Sequence, residues 1–585
     1  MSVLSVSGKS WILKKFNNDE ITHLKDNFLL DEIISKLLSI RKIKKEDINS
    51  FLNPSIKNFL PNPDLLVDME KTTKRTIEIV NNKEKIGIFG DYDVDGATST
   101  ALLGKYFSEL KLQYEIYIPD RKKEGYGPTI KSFTELIKKG VKIIFTVDCG
   151  TLSFEAINFA KKNKIDVIVL DHHQSEIKLP EAFSVINPNR LDDKSNLQYL
   201  CAAGVTFMFL VAVNRELRLN NWFKKNKINE PDLISYLDLV SLGTVCDVVP
   251  LIGLNRAIVK QGLKIMKIKK NLGLKTLFDI CKIENNPSIY HLGFMLGPRI
   301  NAGGRVGKCS HGANLLLDKD PKSAFKLASE LDQFNKERQI LEKDLLEKIL
   351  NENDNFSKDP VLVLSGSNWH EGIIGIVAAR LKDKFNKPTI IISIDGQIGK
   401  GSARSIVGFD IGSTIIAATQ EDILLKGGGH KMAGGFSINI KNIEKFKEFV
   451  FRKFKNVNED LIGRKPLFLD SEISPTAINL DFYNKINILA PFGSGNPEPK
   501  FIIKDLITVN GKIVAEKHIK SVLIGKDGSP IKTIAFNAVE NDIGSYLLKK
   551  NKKPFNIAGK LSLNEWRGQS NVEFIIDDIS VNKTL

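Results

Sequence analysis

Short apolar runs alternate with amphipathic stretches in the central part of the chain. Continuous apolar runs are typical of strands that are buried on both faces, and they predict strands at 85–90, 114–118, 141–147 and 165–170. Apolar residues at helical spacing between these runs predict helices at 96–110, 129–139 and 153–163. This alternation predicts a parallel sheet with helices on both faces.

The pattern changes on either side of this central part. Residues 1–84 look mostly helical, and two more helices are predicted at 200–218 and 232–243. Leucines repeat at helical spacing between dense charges over 321–353, which predicts a long connecting helix. Runs broken by Gly, Asn, Asp and Pro after residue 460 predict a small β-barrel or sandwich. The chain is therefore predicted to be an α/β multidomain protein with boundaries at 1–84, 85–320, 321–354, 355–457 and 460–585.

The composition indicates a class of binding partner and a cellular compartment. The net charge of +16 favours a polyanionic partner. The alternative is that the composition is rich in lysine along the whole chain, which would produce the same excess of positive charge without any such partner. The five cysteines are odd in number and form no CxxC pair, which predicts free thiols in a reducing cytoplasm and disfavours a cysteine-based zinc site. No run of 18 apolar residues occurs, so neither a spanning helix nor a membrane partner is predicted.

The segment GDYDVDGATS carries three aspartates, Asp91, Asp93 and Asp95, between a predicted strand and a predicted helix. Ligands bind at such strand ends in open α/β sheets. Like charges this close need a cation, and Mg²⁺ or Mn²⁺ suits carboxylate oxygens. An EF-hand is excluded because Leu102 stands where its bidentate Glu would be, whereas a solvated surface turn stays open as the alternative.

Acidic residues also follow later apolar stretches of the chain. Asp148 follows one predicted strand, and Asp171, His172 and His173 follow the next. LVSLGTVCDVVP carries Asp247, which we count as a fourth strand end although a helix is predicted at 232–243. Carboxylates and a histidine would then converge on one sheet edge, as a pair of cations about 3.5–4 Å apart requires. The alternatives are helix N-caps for Asp148 and Asp247 and a satisfied core histidine for His172.

DYDVDG, VDCG, DHH and GTVCDVVPL, in this order, resemble the four motifs of the DHH phosphoesterase superfamily. GPRINAGGR, NWHEGIIGIVAAR, GSARS, GGGHKMAGGF and FGSGNPEP further resemble its RecJ family of bacterial single-strand-specific exonucleases. Some DHH hydrolases begin their first motif with a histidine where this chain has Phe89, and this departure argues against a pyrophosphatase. The resemblance covers nearly the whole chain and implies a DHH domain, a DHHA1 domain and an OB-like barrel.

The resemblance also implies a set of roles. Two divalent cations, Mg²⁺ or Mn²⁺, would be held by Asp93, Asp95, Asp148, His172 and Asp247, with Asp148 bridging. Asp91 would join them or support them, and His173 would face the scissile phosphate or orient a ligand. The implied activity is 5′→3′ hydrolysis of single-stranded DNA to 5′-mononucleotides in recombination and repair, beside a helicase and a single-strand-binding protein.

Several further side chains are candidates for holding phosphate or DNA. GSARS offers the guanidinium of Arg404 and the hydroxyl of Ser402, and GGGH offers backbone N–H groups and His430. The remaining candidates are His370, Arg121, Arg299 and Arg305, and a surface ion pair is the alternative for each arginine. The resemblance implies that the DHHA1 domain grips the 5′-phosphate and thereby sets the direction of digestion.

Lysines 500, 504, 512, 517 and 520 interleave with the predicted C-terminal strands and would track a DNA backbone, or would simply be solvated. Two other functions stay open. One is a DHH enzyme that cuts short oligoribonucleotides or cyclic dinucleotides, although such enzymes usually lack the C-terminal β module. The other is a single-strand-binding protein with an inactive site, against which the intact aspartates argue.

Overall fold

The structure is a computed structural model, and it describes residues 5–284, 286–352, 356, 358–455, 465–549, 553–566 and 569–581. The chain forms two compact units. The first unit comprises residues 53–344 and 491–496, and the second comprises residues up to 52, 345–490 and 497 onwards. Within the described ranges, no helix is both long enough and apolar enough to cross a membrane.

The N-terminal region is helical apart from one strand. Its elements in the second unit are β1 (Lys9–Leu13), α1 (Asn18–Phe28), α2 (Glu32–Ile40) and α3 (Ile48–Leu52). The first unit then begins with α4 (Ile56–Phe59) and α5 (Met69–Asn82). The predicted helical character of this region is confirmed, whereas β1 is a strand that the pattern did not reveal.

Five parallel strands form the sheet of the first unit, in the order β3-β2-β4-β5-β6. They are β2 (Ile86–Gly90), β3 (Tyr114–Tyr117), β4 (Ile143–Val147), β5 (Asp166–Leu170) and β6 (Ser184–Ile186). The helices between them are α6 (Val94–Glu109), α7 (Ile130–Lys138) and α8 (Phe154–Lys162). The four strands and three helices predicted here are confirmed to within two residues, and only the three-residue β6 was missed.

Both faces of this sheet are buried. Ile88 and Phe145 pack into the core on one face, and Phe89 and Ile144 pack against α7 and α8 on the other. Strands buried on both faces must be apolar at every position, which is why they appear as continuous apolar runs in the sequence. Because all five strands are parallel, their carboxyl ends meet at one edge.

The rest of the first unit is helical. Its helices are α9 (Ala202–Leu219), α10 (Trp222–Asn226), α11 (Leu237–Cys246), α12 (Gly253–Lys267), α13 (Leu272–Ile280), α14 (Gly297–Val306) and α15 (His311–Leu317). A π-helical turn, His291–Leu296, precedes α14. The long helix predicted over 321–353 is confirmed as α16 (Pro321–Glu352).

A five-stranded mixed sheet follows in the second unit, in the order β10-β11-β9-β8-β7. Its strands are β7 (Leu362–Ser367), β8 (Thr389–Asp395), β9 (Ile398–Arg404), β10 (Lys426–His430) and β11 (Ala433–Asn439). Its helices are α17 (Glu371–Phe385), α18 (Ile411–Gln420) and α19 (Ile443–Phe454). The prediction of a second α/β fold in this part of the chain is confirmed.

The C-terminal strands close into a barrel. The elements are β12 (Lys465–Leu469), β13 (Ser471–Glu472), α20 (Leu480–Asn487), β14 (Phe501–Val514), β15 (His518–Ile524), β16 (Pro530–Ala535), α21 (Asp542–Leu548), β17 (Phe555–Trp566) and β18 (Gln569–Ser580). Strands run β14-β15-β16-β18-β17, and β14 also pairs with β17, so the predicted barrel is confirmed. The N-terminal strand β1 pairs in parallel with β12, and the Trp11 indole donates to Asp578 Oδ2 at 2.7 Å.

Candidate metal centre and phosphate-binding face

Carboxylates gather at the carboxyl edge of the parallel sheet in the first unit. Asp91 directly follows β2, Asp148 follows β4 and Asp171 follows β5, and all three are buried. The register aligns these strand ends, since Gly90 pairs with Val147 and Val147 with Leu170. The convergence expected from the sequence is therefore present for these three strands.

The DYDVDG turn holds its acidic side chains in fixed directions. Asp93 caps α6, and its Oδ1 accepts the Gly96 N–H at 3.0 Å. The two oxygens of Asp95 accept the N–H groups of Ala202 and Ala203 at the start of α9, at 2.6 and 2.9 Å. A Cβ on Gly96 would lie 2.5 Å from the Asp91 carbonyl oxygen, so this position requires glycine. A solvated surface turn is excluded for these residues, because Asp91 and Asp95 are buried.

His172 lies at the centre of the cluster. Its Nε2 is 3.3 Å from Asp148 Oδ1, 3.6 Å from Asp247 Oδ2 and 3.7 Å from Asp95 Oδ2. This buried nitrogen has no hydrogen-bond partner among the described residues, and neither does Asp91 Oδ1. Buried polar atoms are rarely left unsatisfied, so His172 is not a satisfied core histidine. Its free lone pair fits a metal ligand.

Asp247 reaches the cluster by a different route from the one predicted. It follows helix α11 and not a strand, and its N–H bonds to the Gly243 carbonyl oxygen at 2.9 Å. The helix predicted at 232–243 is confirmed by α11 and the turn before it, so the count of Asp247 as a fourth strand end is wrong. The last residues of α11 are apolar and buried nearly all round, and over a short window such a stretch cannot be distinguished from a buried strand.

The alternative of helix N-caps is also excluded for two of the carboxylates. Ser153 precedes α8, so Asp148 does not cap that helix, and Asp247 lies at the carboxyl end of α11. Asp148 adopts a left-handed backbone with φ of 61°, and Tyr126 Oη donates to its carbonyl oxygen at 3.0 Å. Unusual backbone conformations of this kind cluster at functional sites, which fits a functional role for Asp148.

The electrostatics of the cluster call for a cation. Burial and then neighbouring carboxylates raise the pKa of Asp91 and of Asp148 well above the ordinary range. Burial, followed by Asp95 and Asp93, raises the pKa of Asp247 to about 8. Ligand atoms lie within 4.8 Å of one another in three groups: Asp91, Asp93 and Asp148; Asp95, His172 and Asp247; and Asp148, His172 and His173. Oxygen and imidazole donors of this kind fit Mg²⁺ or Mn²⁺.

Asp171 supports both histidines, a role that the sequence did not reveal. Its oxygens accept from the Thr151 hydroxyl at 2.6 Å, from the backbone N–H of both histidines and from His173 Nδ1 at 2.8 Å. Burial is the largest influence on the pKa of His173 and lowers it, but the bond to Asp171 and the charges of Asp171, Asp247 and Asp91 together outweigh burial and raise this pKa to about 9. The only sequence signal was an aspartate directly before two histidines.

The three arginine candidates of the first unit differ in their partners. The Arg121 guanidinium lies 5.1 Å from the centre of the Tyr92 ring, and its charge opposes the rise in the pKa of Asp91 that burial causes. Arg299 donates to Asp332 at 2.9 Å, which is the ion pair that was its alternative. Arg305 lies half-buried in the last turn of α14.

The motif around Arg299 and Arg305 supports the acidic turn through other residues. Asn301 Oδ1 accepts the Val94 N–H at 3.1 Å, and a Cβ on Gly304 would lie 3.0 Å from the Tyr92 ring. Sequence reasoning concentrated on the charged side chains of GPRINAGGR and missed both contacts.

A second cluster lies on one face of the mixed sheet in the second unit, and we call it the glycine face. Arg404 pairs with Ala433, which pairs with His430, and Ser402 pairs with Gly435, which pairs with Gly428. Directly paired residues point to the same side of a sheet, so Ser402, Arg404 and His430 share this face. A Cβ on Gly428 would meet nothing within 4 Å, so the surface between these side chains is open.

Helix α17 borders the glycine face. A Cβ on Gly375 would lie 2.9 Å from Ser402 Oγ and 3.0 Å from Arg404 Nη2. His370 caps this helix, because its Nδ1 accepts the Gly372 N–H at 3.1 Å. Four of the predicted phosphate contacts, His370, Ser402, Arg404 and His430, thus lie on or beside one surface.

The barrel lysines divide into two groups. Lys500, Lys504 and Lys520 pair with Asp577, Glu472 and Glu573 at 2.8, 2.7 and 3.2 Å. Lys512 and Lys517 are exposed, near the end of the β14–β15 hairpin where His518 contacts the half-exposed Phe536. Two of the five lysines therefore stand exposed on the hairpin, whereas three have a carboxylate partner.

Comparisons with known proteins agree with these features. Residues 85–244 match the model of the DHH family, N-terminal domain, residues 358–456 match the DHHA1 domain, and residues 469–578 match the RecJ OB domain. These are the three kinds of domain, in the same order, that the motifs implied.

Individual proteins match over most of their length. The single-stranded-DNA-specific exonuclease RecJ of Haemophilus influenzae is 33% identical, over 90% of this chain and 93% of that protein. The protein of the same name in Bacillus subtilis is 30% identical, over 98% of this chain and 71% of that protein. The crystal structure of RecJ in complex with Mn²⁺ from Thermus thermophilus matches with a TM-score of 0.80 at 26% identity, over 98% of this chain and 80% of that one.

Proposed function

The chain belongs to the RecJ family of single-stranded-DNA-specific exonucleases, and from that premise we propose that it hydrolyses single-stranded DNA from the 5′ end and releases 5′-mononucleotides. The observation that carries the proposal is the buried cluster in which His172 Nε2 has no partner among the described residues and stands within 4 Å of three carboxylates. Free thiols at all five cysteines support the further proposal of a cytoplasmic location.

Two divalent cations, Mg²⁺ or Mn²⁺, would be held by Asp93, Asp95, Asp148, His172 and Asp247. We propose Asp148 as the bridging ligand because it belongs to two of the three candidate ligand groups. When bound, such ions lower the pKa of a coordinated water and brace the scissile phosphate and the leaving oxygen. Asp91, whose Oδ1 also has no partner among the described residues, would complete the set.

The residues of the chain itself would orient the substrate. Asp171 fixes the His173 ring, and the His173 side chain is 46% exposed, so it can hold an oxygen of the scissile phosphate. Arg121, beside Tyr92, would steer the approaching strand. We propose that the glycine face holds the terminal 5′-phosphate through Arg404, Ser402 and His430, and that this grip sets the direction of digestion.

We also propose roles for two barrel lysines and for the protein in DNA metabolism. Lys512 and Lys517 would track the phosphate backbone beside Phe536, without reading bases. Family membership supports a role in recombination and repair, and cooperation with a helicase and a single-strand-binding protein. The alternative of a DHH enzyme for short oligoribonucleotides or cyclic dinucleotides is less well supported, since the chain carries the RecJ OB domain and matches full-length exonucleases.

A digestion time course tests the proposed function directly. Single-stranded oligonucleotides labelled at the 5′ end should release labelled mononucleotide at once, whereas 3′-labelled strands should shorten progressively. Both reactions should stop in EDTA and resume with excess Mn²⁺ or Mg²⁺, and duplex DNA should persist. Immediate mononucleotide release from the 3′ label would contradict the proposed direction, and digestion in EDTA would contradict the metal centre.

Replacing Arg404 by alanine should weaken the preference for 5′-phosphorylated ends. A charge-assisted bond contributes about 1.5–3 kcal/mol, so the ratio of kcat/KM for phosphorylated over unphosphorylated strands should fall about 10-fold or more. Arg452→Ala is the matched control, because Arg452 is an exposed arginine on α19 of the same unit. If the native protein cuts both kinds of end at equal rates, the assignment of the glycine face is wrong.

A further inference from the structure

The residue after Asp247 has a strained backbone. Helix α11 ends at Cys246, and Val248 has φ of 60°, a left-handed conformation that a β-branched residue rarely adopts. Such a conformation is unfavourable and persists only where the surrounding structure imposes it. The position of Asp247 therefore depends on what holds the turn that follows it.

Residues 491–496 hold that turn, and we call them the clamp loop. The Leu251 N–H donates to the Ser494 carbonyl oxygen at 2.8 Å. A Cβ on Gly495 would lie 3.1 Å from Pro250 Cβ, and a Cβ on Gly493 would lie 2.7 Å from Leu251 Cδ1. The clamp loop packs this closely against Pro250 and Leu251 only because both positions are glycine, and Gly495 also has φ of 73°.

The clamp loop is itself firmly anchored. Gly493 and Asn496 exchange two backbone hydrogen bonds, at 2.9 and 3.1 Å. Asn496, which is 1% exposed, donates its Nδ2 to the Pro491 carbonyl oxygen at 2.8 Å. The buried guanidinium of Arg256 donates to the same oxygen at 3.2 Å. A loop with these bonds can impose a conformation on its neighbour.

Chain connectivity makes the clamp loop unusual. Residues 345–490 and 497 onwards belong to the second unit, and only the six residues between them fold into the first unit. From the sequence, FGSGNPEP is expected to belong to the C-terminal module. Nothing in the local pattern of this motif indicates a contact with Pro250 or Leu251. The first unit is therefore incomplete without a segment from the C-terminal part of the chain.

We propose that the clamp loop is a positioning element for Asp247, and that it sets the cation affinity of the group formed by Asp95, His172 and Asp247. This inference rests on the proposed function in that the group must bind a divalent cation. The other group, Asp91, Asp93 and Asp148, depends on strand ends β2 and β4 and not on the clamp loop. The proposal therefore predicts a selective effect on one of two cation sites.

Gly495→Ala in the full-length protein tests the proposal, with Gly528→Ala as the matched control. Both glycines have positive φ, 73° and 79°, so both substitutions strain the backbone similarly, but a Cβ on Gly528 meets nothing within 4 Å. Calorimetric titration with Mn²⁺ should show two binding steps in the native protein. We expect Gly495→Ala to weaken one step about 10-fold, as changes to residues that support metal ligands do, and to leave the other unchanged.

Kinetics supply a second readout. In Gly495→Ala, the Mn²⁺ concentration for half-maximal cleavage should rise about 10-fold while KM for DNA stays constant. Asn496→Ala, which loosens the loop without adding bulk, should weaken the same step, and it carries the test if Gly495→Ala does not fold by circular dichroism. Gly528→Ala should bind Mn²⁺ like the native protein.

The outcomes separate the two proposals. If the native protein binds two Mn²⁺ ions and cleaves DNA, but both clamp-loop variants bind Mn²⁺ normally, the inference is wrong and the proposed function stands. Equal weakening of both steps would also overturn it, because the effect would then be general. A native protein that binds no Mn²⁺ would overturn the proposed function together with the inference.

Discussion

Asp148→Asn should abolish DNA cleavage, with a loss of at least about 10³-fold in kcat. The carboxylate is buried and belongs to two of the three candidate ligand groups, so its loss should weaken both groups at once. An asparagine has the same shape but no charge and only one acceptor oxygen. Losing the ligand that we propose as bridging would remove several kcal/mol of transition-state stabilisation, and each 1.4 kcal/mol corresponds to a factor of ten.

The same substitution should not destabilise the metal-free protein. Burial and then the nearby carboxylates raise the pKa of Asp148, which means that its ionised form is disfavoured in the fold. Removing the charge relieves that repulsion, so the Tm in EDTA should be equal to or higher than that of the native protein. Loss of activity with a maintained Tm would separate a chemical defect from unfolding.

Gel assays of cleavage and fluorescence anisotropy of binding measure the two consequences of Asp148→Asn. Single-stranded DNA should still bind within a few-fold of the native Kd, because phosphate contacts elsewhere dominate affinity. Glu155→Gln, an equivalent change at an exposed position on α8, is the control and should cleave normally. If Asp148→Asn retains substantial cleavage, Asp148 does not bridge the cations.

Local patterns were sufficient to predict four strands of the parallel sheet, β2 to β5, and the helices between them. Strands such as Ile143–Val147 are buried on both faces, so their apolar character is continuous and their ends are marked by polar residues. The acidic residues after β2 and β4 were found for the same reason, because a charged residue directly after a buried run stands out. Parallel topology then brings these strand ends together.

Long-range contacts could not be predicted in this way. β1 pairs with β12, and Asp578 accepts the indole N–H of Trp11, yet neither partner carries a local signal of the other. The error at Asp247 has a related cause, since helices that include the distant α6 and α9 bury α11 nearly all round and leave little helical periodicity at its end. The ion pair of Arg299 with Asp332 could not be predicted from local sequence either, because it joins two separate helices.

The second large effect on activity is expected from a substitution at Gly243, where α11 packs against its neighbours. Gly243 lies where α11 crosses α6 and α9, and a Cβ there would be 2.6 Å from Thr98 Oγ1 and 2.8 Å from both Ala203 Cβ and Asp95 Oδ1. Asp95 cannot move aside, because its carboxylate is bound to the start of α9. Gly243→Ala must therefore displace α11 itself, and with it Asp247.

We expect Gly243→Ala to lower kcat about 100-fold, since a displacement of roughly 1 Å in a catalytic group has an effect of that size. Overpacking should also lower the free energy of unfolding by about 1–3 kcal/mol. Gly293→Ala is the control, because a Cβ there meets only Val245 Cγ1, at 3.6 Å, and its kcat should be unchanged. Stopped-flow cleavage assays and thermal melts measure both quantities.

The comparison of Gly243→Ala with its control tests how the metal centre is assembled. Asp247 N–H bonds to the carbonyl oxygen of Gly243, so a shift at this glycine passes along a single helical turn to the carboxylate. Mn²⁺ added in excess should restore only part of the activity, because the displaced carboxylate stays displaced when ligand concentration rises. Native kcat in Gly243→Ala would show that the position of Asp247 does not depend on close packing of α11 against α6.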